Sequence, residues 1–227
     1  NGERTRVYVN QGDGNFELLA DAGLENLTYG AISSADVDGD GDIDIFLTGR
    51  RNWQEKTSLW HNDGTGHFTL FDNTTFLALN ESFSEFSDVD LDGDFDIFYG
   101  GKDGDNERIR LYLNDGNSNF TNAQTEVSQG IFNGKMAFGD MDNDGDDDLV
   151  LTGIYDDQTA RTKLFQNNAG EFVENDLTYQ FVNSFGGEAH FLDSDGDGDL
   201  DLFIGGNNTN LYINDGDGNY SINRPSS

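Results

Sequence analysis

This 227-residue sequence predicts an all-β fold built from a repeated four-stranded antiparallel unit. Three observations predict it. One acidic loop occurs four times at a nearly constant interval, each copy is followed by a short apolar run closed by glycine, and a hairpin-like pattern alternates with the loops. Such internal periodicity reads as one supersecondary unit used repeatedly.

The loops are Asp36-Val-Asp38-Gly-Asp40-Gly-Asp42-Ile-Asp44, Asp88-Val-Asp90-Leu-Asp92-Gly-Asp94-Phe-Asp96, Asp140-Met-Asp142-Asn-Asp144-Gly-Asp146-Asp-Asp148 and Asp193-Ser-Asp195-Gly-Asp197-Gly-Asp199-Leu-Asp201. Their first aspartates stand 52, 52 and 53 residues apart. Five carboxylates within nine residues repel one another, and a bound cation relieves that repulsion. Ca2+ is the expected ion, one per loop, because it takes six to eight oxygens at flexible geometry. Mg2+, which demands a stricter octahedron, ranks second. Positions 1, 3, 5 and 9 offer carboxylates. Position 7 (Asp42, Asp94, Asp146, Asp199) is expected to offer its backbone carbonyl, and glycine at position 6 permits the sharp turn. An EF-hand is excluded: it needs Glu at position 12, where this chain has Leu47, Tyr99, Leu151 and Ile204.

The apolar runs after the loops are Ile45–Gly49, Ile97–Gly101, Leu149–Gly153 and Leu202–Gly206. They read as strands buried on both faces. Five hairpins alternate with them, at Val7–Phe16, Leu59–Phe68, Leu111–Phe120, Leu164–Phe172 and Leu211–Tyr220, each turning through Asn, Asp and Gly residues that tolerate positive φ. Four strands per period are therefore expected: one entering the loop, one leaving it and two in the hairpin. A four-stranded unit at this spacing is the signature of β-propeller blades. The chain divides into an N-terminal half blade at 1–20 and four complete blades at 21–72, 73–124, 125–177 and 178–227, together a single propeller domain or part of one.

With 44 acidic against 12 basic residues, the net charge of −32 makes nucleic acid and anionic membranes poor partners. No run of residues is long and apolar enough to suggest membrane insertion. Cysteine is absent, so calcium is expected to take over the stapling role that disulfides often hold outside the cell. The chain starts at Asn without Met and shows no signal peptide, which is expected of a mature or trimmed sequence.

The pairing of the DxDxDG loop with a buried strand and the Leu111-Tyr-Leu-Asn-Asp-Gly type of hairpin resembles the FG-GAP or VCBS repeats of integrin-α-like propellers and of many secreted bacterial proteins. Phe138-Gly139 matches the Phe-Gly of that pattern, whereas the other copies read Ser34-Ala35, Phe86-Ser87 and Phe191-Leu192. The resemblance implies a propeller whose metal loops join the first two strands of each blade, and an extracellular, secreted or cell-surface location. Propellers resembling this one usually have seven blades, so the four and a half expected here leave three outcomes: a piece of a longer ring, a small closed ring, or a homo-oligomer that closes the ring.

Two functions remain open at this point. One is a calcium-stabilised, non-catalytic propeller for extracellular binding or adhesion, with a carbohydrate or protein ligand. The alternative is the propeller portion of a larger secreted polysaccharide-degrading enzyme. No nucleophile or phosphate-cradling motif appears, and the pair Glu188 and His190 reads as a solvated strand edge. Recognition is expected on the variable connections 50–56, 102–108, 155–161 and 207–210, where Trp53 and Tyr155 are the candidate ligand contacts.

Overall fold

A computed structural model describes residues 5–123, 127, 131–155, 159–175, 181–183, 187–206 and 209–223. Residues 1–4 of the half blade, 156–158 and 207–208 of the variable connections, and the block 176–180 lie outside the described residues. Every described element is a strand.

A two-stranded hairpin, β1 (Tyr8–Gly12) and β2 (Asn15–Leu18), comes first. Four antiparallel meanders of four strands follow. The first sheet contains β3 (Ile32–Ala35), β4 (Asp44–Arg51), β5 (Gln54–Asn62) and β6 (Phe68–Phe71). The second contains β7 (Asn80–Ser87), β8 (Asp96–Asp103), β9 (Asn106–Leu113) and β10 (Thr121–Ala123). The third contains β11 (Ile131–Gly139), β12 (Asp148–Tyr155), β13 (Ala160–Gln166) and β14 (Val173–Glu174). The fourth contains β15 (Ala189–Leu192), β16 (Asp201–Ile204), β17 (Asn210–Asn214) and β18 (Tyr220–Ile222). In each sheet neighbours in sequence are neighbours in space, so the acidic loop joins the first two strands and the Asn/Gly turn joins the last two at the same edge.

The sheets stack in chain order, and strand alternation sends successive residues to opposite neighbours. On β8, Ile97 and Tyr99 enter the core shared with the first sheet, where they meet Phe46 and Leu59. Phe98 between them enters the core shared with the third sheet and meets Leu149, Phe165 and Phe172. Val150 and Leu164 of the third sheet pack likewise with Leu202, Ile204 and Tyr212 of the fourth. A strand that is apolar at every position is thus explained by a partner on each face, as the sequence pattern predicts. Each fully buried side chain of this kind contributes about 1.5–3 kcal/mol of transfer free energy.

The array has two unlike ends. Leu47, Trp60 and Phe68 of the first sheet are covered by Val7, Ala22, Leu24 and Leu27 of the N-terminal segment. The hairpin β1–β2 is exposed throughout, with Tyr8 at 50% and Phe16 at 62%, although their counterparts Tyr112 and Phe120 are at 6% and 7%. At the other end, Phe203 and Leu211 occupy the register that Phe98 and Leu111 use to bury against a following sheet, and they are only half-buried. Among the described residues the four sheets thus form a stack whose two end faces carry apolar groups.

Candidate metal loops and the opposite edge

The four acidic loops share one hydrogen-bond scheme that follows from their spacing. The position 1 carboxylate folds the loop over itself by accepting backbone N–H groups from beyond position 3: Asp36 from Gly39 and Gly41, both at 2.9 Å, Asp88 from Asp92 and Gly93 at 3.1 and 3.0 Å, and Asp140 from Asp144 and Gly145, both at 3.1 Å. In the fourth loop Asp193 accepts from Gly196 at 2.7 Å. Position 5 accepts the N–H of position 7, as in Asp40 with Asp42 at 2.8 Å. Position 6 needs glycine for its backbone angle and not for space: Gly41, Gly93, Gly145 and Gly198 lie at φ +92° to +100° with nothing near a would-be Cβ.

Position 9 sits at the start of the second strand and is the buried member. Asp44, Asp96, Asp148 and Asp201 are at most 1% exposed. Each carboxylate accepts the N–H of loop position 2 and the N–H of the hairpin asparagine at the end of the adjacent strand: Asp148 bonds Met141 at 2.8 Å and Asn167 at 2.9 Å, and Asp96 bonds Val89 at 3.0 Å and Asn114 at 2.8 Å. Burial nevertheless outweighs these bonds and pushes Asp96 and Asp148 up to about 7, and it raises Asp44 as well.

Carboxylate oxygens converge in all four loops. Asp88, Asp90 and Asp96 form one group and Asp140, Asp142 and Asp148 another, while Asp36, Asp38 and Asp40 and Asp193, Asp195 and Asp197 form the groups of the outer loops. Within each group the ligand atoms lie within 4.8 Å of one another. In the first loop Asp38 and Asp44 also gather around His61, whose Nδ1 is 3.1 Å from Asp38 Oδ2. In the middle loops the position 3 side chain is roofed by the next sheet's hairpin, with a Cβ on Gly170 or Gly218 placed 3.3 or 3.4 Å from the Cβ of Asp90 or Asp142. Under that roof Asp90 Oδ1 and Asp142 Oδ1 are buried with no hydrogen-bond partner. Burial, then the adjoining carboxylates, raises the pKa of both groups. An orphaned carboxylate oxygen inside an all-oxygen group fits a hard divalent cation, which would be held by positions 1, 3 and 9 there.

The position 7 carboxylates turn away from these groups. Asp42, Asp94 and Asp199 lie against the hairpin glycines Gly64, Gly116 and Gly216, where a Cβ would fall 2.6, 2.4 and 2.5 Å from them. Asp146 instead accepts the N–H of Ala169 at 2.9 Å. The side chains of Asp42, Asp94 and Asp199 therefore brace the turn, which leaves their backbone carbonyls to offer an ion, whereas Asp146 keeps a buried Oδ1 with no hydrogen-bond partner.

Sequence reading took the hairpin asparagines for turn residues and missed their second role. Asn114, Asn167 and Asn214 are buried, and each Nδ2 donates across the stack to the position 2 carbonyl of the preceding loop: Val37 at 2.8 Å, Val89 at 2.8 Å and Met141 at 2.6 Å. The signal was an asparagine at the same place in all five hairpins, at the end of a strand rather than within the turn. Asn167→Ala is expected to leave the Val89 carbonyl unpaired and cost about 1–3 kcal/mol. At about 2–4 °C per kcal/mol for a chain of this size, the loss is visible as a lower melting temperature. An unchanged melt would contradict the tie.

The edge opposite the loops carries the 2–3 turns and the sheet-to-sheet connections. Trp53 is 85% exposed at the β4–β5 turn, in a left-handed conformation (φ +66°) with the Arg50 guanidinium 5.6 Å from its ring. Tyr155, expected as an exposed ligand contact, is corrected by the structure: it is the last residue of β12 and lies 3% exposed in the core beneath Arg161 and Lys163. Glu188 and His190 are 3.6 Å apart with both side chains more than half exposed, and Glu188 also meets Lys135.

Stacked four-stranded meanders, each with an acidic loop between its first two strands, define a class of all-β repeat protein. Residues 1–47 and 88–151 match the family model described as FG-GAP-like repeat. No curated protein matches the chain.

Proposed function

We propose that this chain forms a calcium-stabilised, non-catalytic β-propeller, or a contiguous part of one, that binds a carbohydrate or protein ligand outside the cell or at its surface. The observation that carries the reading is the division of labour between the two edges. One edge gathers carboxylates into four loops whose middle members leave a buried oxygen without a partner. The other presents variable turns and an exposed tryptophan. In this reading each loop holds one Ca2+ through Asp36, Asp38, Asp40 and Asp44 and their counterparts in the other three loops. The backbone carbonyls of Asp42, Asp94, Asp146 and Asp199 complete the sets. Sites of this build staple neighbouring strands, and the rigid stack then holds the recognition surface in place. The stack's apolar end faces support a further element of the reading, that a ring closes through more repeats or a second copy.

The test is a glycan array in millimolar calcium, combined with sizing of any polysaccharide that binds. Binding with no loss of polymer length is the expected result. Shortening of the polymer would overturn the non-catalytic assignment in favour of an enzyme's propeller portion.

A further inference from the structure

Where each of the first three sheets begins, the chain takes the same unusual turn. Tyr29, Glu81 and Asn133 stand 52 residues apart and adopt left-handed backbone angles of +54°, +47° and +47°. Asparagine tolerates this region, but tyrosine and glutamate are uncommon there. Strain of this kind tends to persist where it aims a side chain at something. All three residues line one cavity of about 370 Å3, within the range of small-molecule sites.

The floor of the cavity has no room for side chains. A Cβ on Gly30 would fall 1.7 Å from the Thr48 carbonyl oxygen, and one on Gly134 would fall 2.8 Å from the Phe83 ring. Tyr29 is 69% exposed and forms an apolar wall, while Glu81, Ser82, Asn133 and Lys135 supply polar groups around it. The charges there are already matched: Glu81 pairs with Lys102 at 3.1 Å and Lys135 with Glu188 at 3.3 Å. On a chain of net charge −32, two of the twelve basic residues sit at this spot, so the cavity is locally balanced. A ligand here need bring no charge of its own.

We propose that this cavity binds a neutral pyranose, with one C–H face stacked on Tyr29 and its hydroxyls bonded to Glu81, Asn133 and Ser82. An aromatic ring beside carboxylate, amide and hydroxyl groups suits a ligand that is apolar on its faces and polar at its rim. This rests on the ligand-binding reading above.

Saturation-transfer NMR tests it, using the methyl pyranosides of glucose, galactose and mannose and, as a charged comparison, methyl glucuronate. Transfer to ring protons of at least one neutral pyranoside is expected, with the glucuronate silent. Tyr29→Gly is the informative variant. It relieves the left-handed strain, so its melting temperature holds or rises, while pyranoside affinity falls at least tenfold. Transfer from glucuronate alone, no transfer from any pyranoside, or full affinity in Tyr29→Gly would each overturn the proposal. The glycan array is run on the same samples: array binding without pyranoside transfer overturns the cavity alone, and loss of both overturns the ligand-binding reading as well.

Discussion

Chelating calcium is expected to lower the melting temperature of this protein by about 10–20 °C. The size follows from linkage: an ion that binds only the folded chain stabilises it by about 2.7 kcal/mol per site at a hundredfold excess over its dissociation constant. Two sites then give about 5 kcal/mol, and a chain of this length responds by about 2–4 °C per kcal/mol. The middle loops are the ones counted here. They bring position 9 into the group and hide an orphaned oxygen of position 3 under the next sheet's hairpin, whereas all three grouped residues of the fourth loop are exposed. The double variant Asp90→Asn, Asp142→Asn keeps the shape of both side chains and is expected to lose at least half of the shift. A melt indifferent to chelator in the parent protein would remove the ion from the account of stability.

The second large effect is an inverted pH dependence in chelator. Asp96 and Asp148 ordinarily titrate near 3.8, and burial raises both to about 7 in the folded chain. The folded state therefore holds these protons more tightly than the unfolded state does. The stability this contributes is fully present below pH about 4 and is lost as the pH rises through about 7. Without calcium the melting temperature should fall between pH 5 and pH 8. With millimolar calcium a bound cation takes the place of the proton, so the fall disappears or reverses. Asp148→Asn removes one of the two groups and should roughly halve the decline in chelator. It also lowers stability at every pH, because one amide oxygen must now serve both the Met141 and the Asn167 N–H groups. A chelator profile that rises from pH 5 to pH 8 would contradict this placement of the two carboxylates.

The fold was legible because the repeat states its own period. The runs Ile97–Gly101 and Leu149–Gly153 are apolar at consecutive positions, and only a strand with a sheet on each side satisfies that pattern; β8 and β12 are buried accordingly. The loops were legible because five aspartates in register leave little else for them to do. What the sequence did not reveal depends on neighbours 50 to 80 residues away. Asn167 looks like a turn residue until the Val89 carbonyl of the previous sheet is set beside it. Position 9 looks like one more ligand until the strand start buries it. Tyr155 and Trp53 occupy matching connections, yet β12 extends as far as the first and buries it in the core, while the Asn52-Trp53 turn, left-handed at both residues, holds the second in solvent. Likewise, nothing local distinguishes Tyr8 from Tyr112, and only the stacking shows one without a covering sheet.

Counting the bound ions tests the central claim most directly. Equilibrium dialysis against about 10 mM free calcium, roughly tenfold above the weakest dissociation constants of extracellular modules, followed by elemental analysis, should return four calcium ions per chain. The Asp90→Asn, Asp142→Asn variant should return two. A parent protein that retains no calcium after dialysis, or a variant that retains as much as the parent, would contradict the assignment of these loops as the ions' sites.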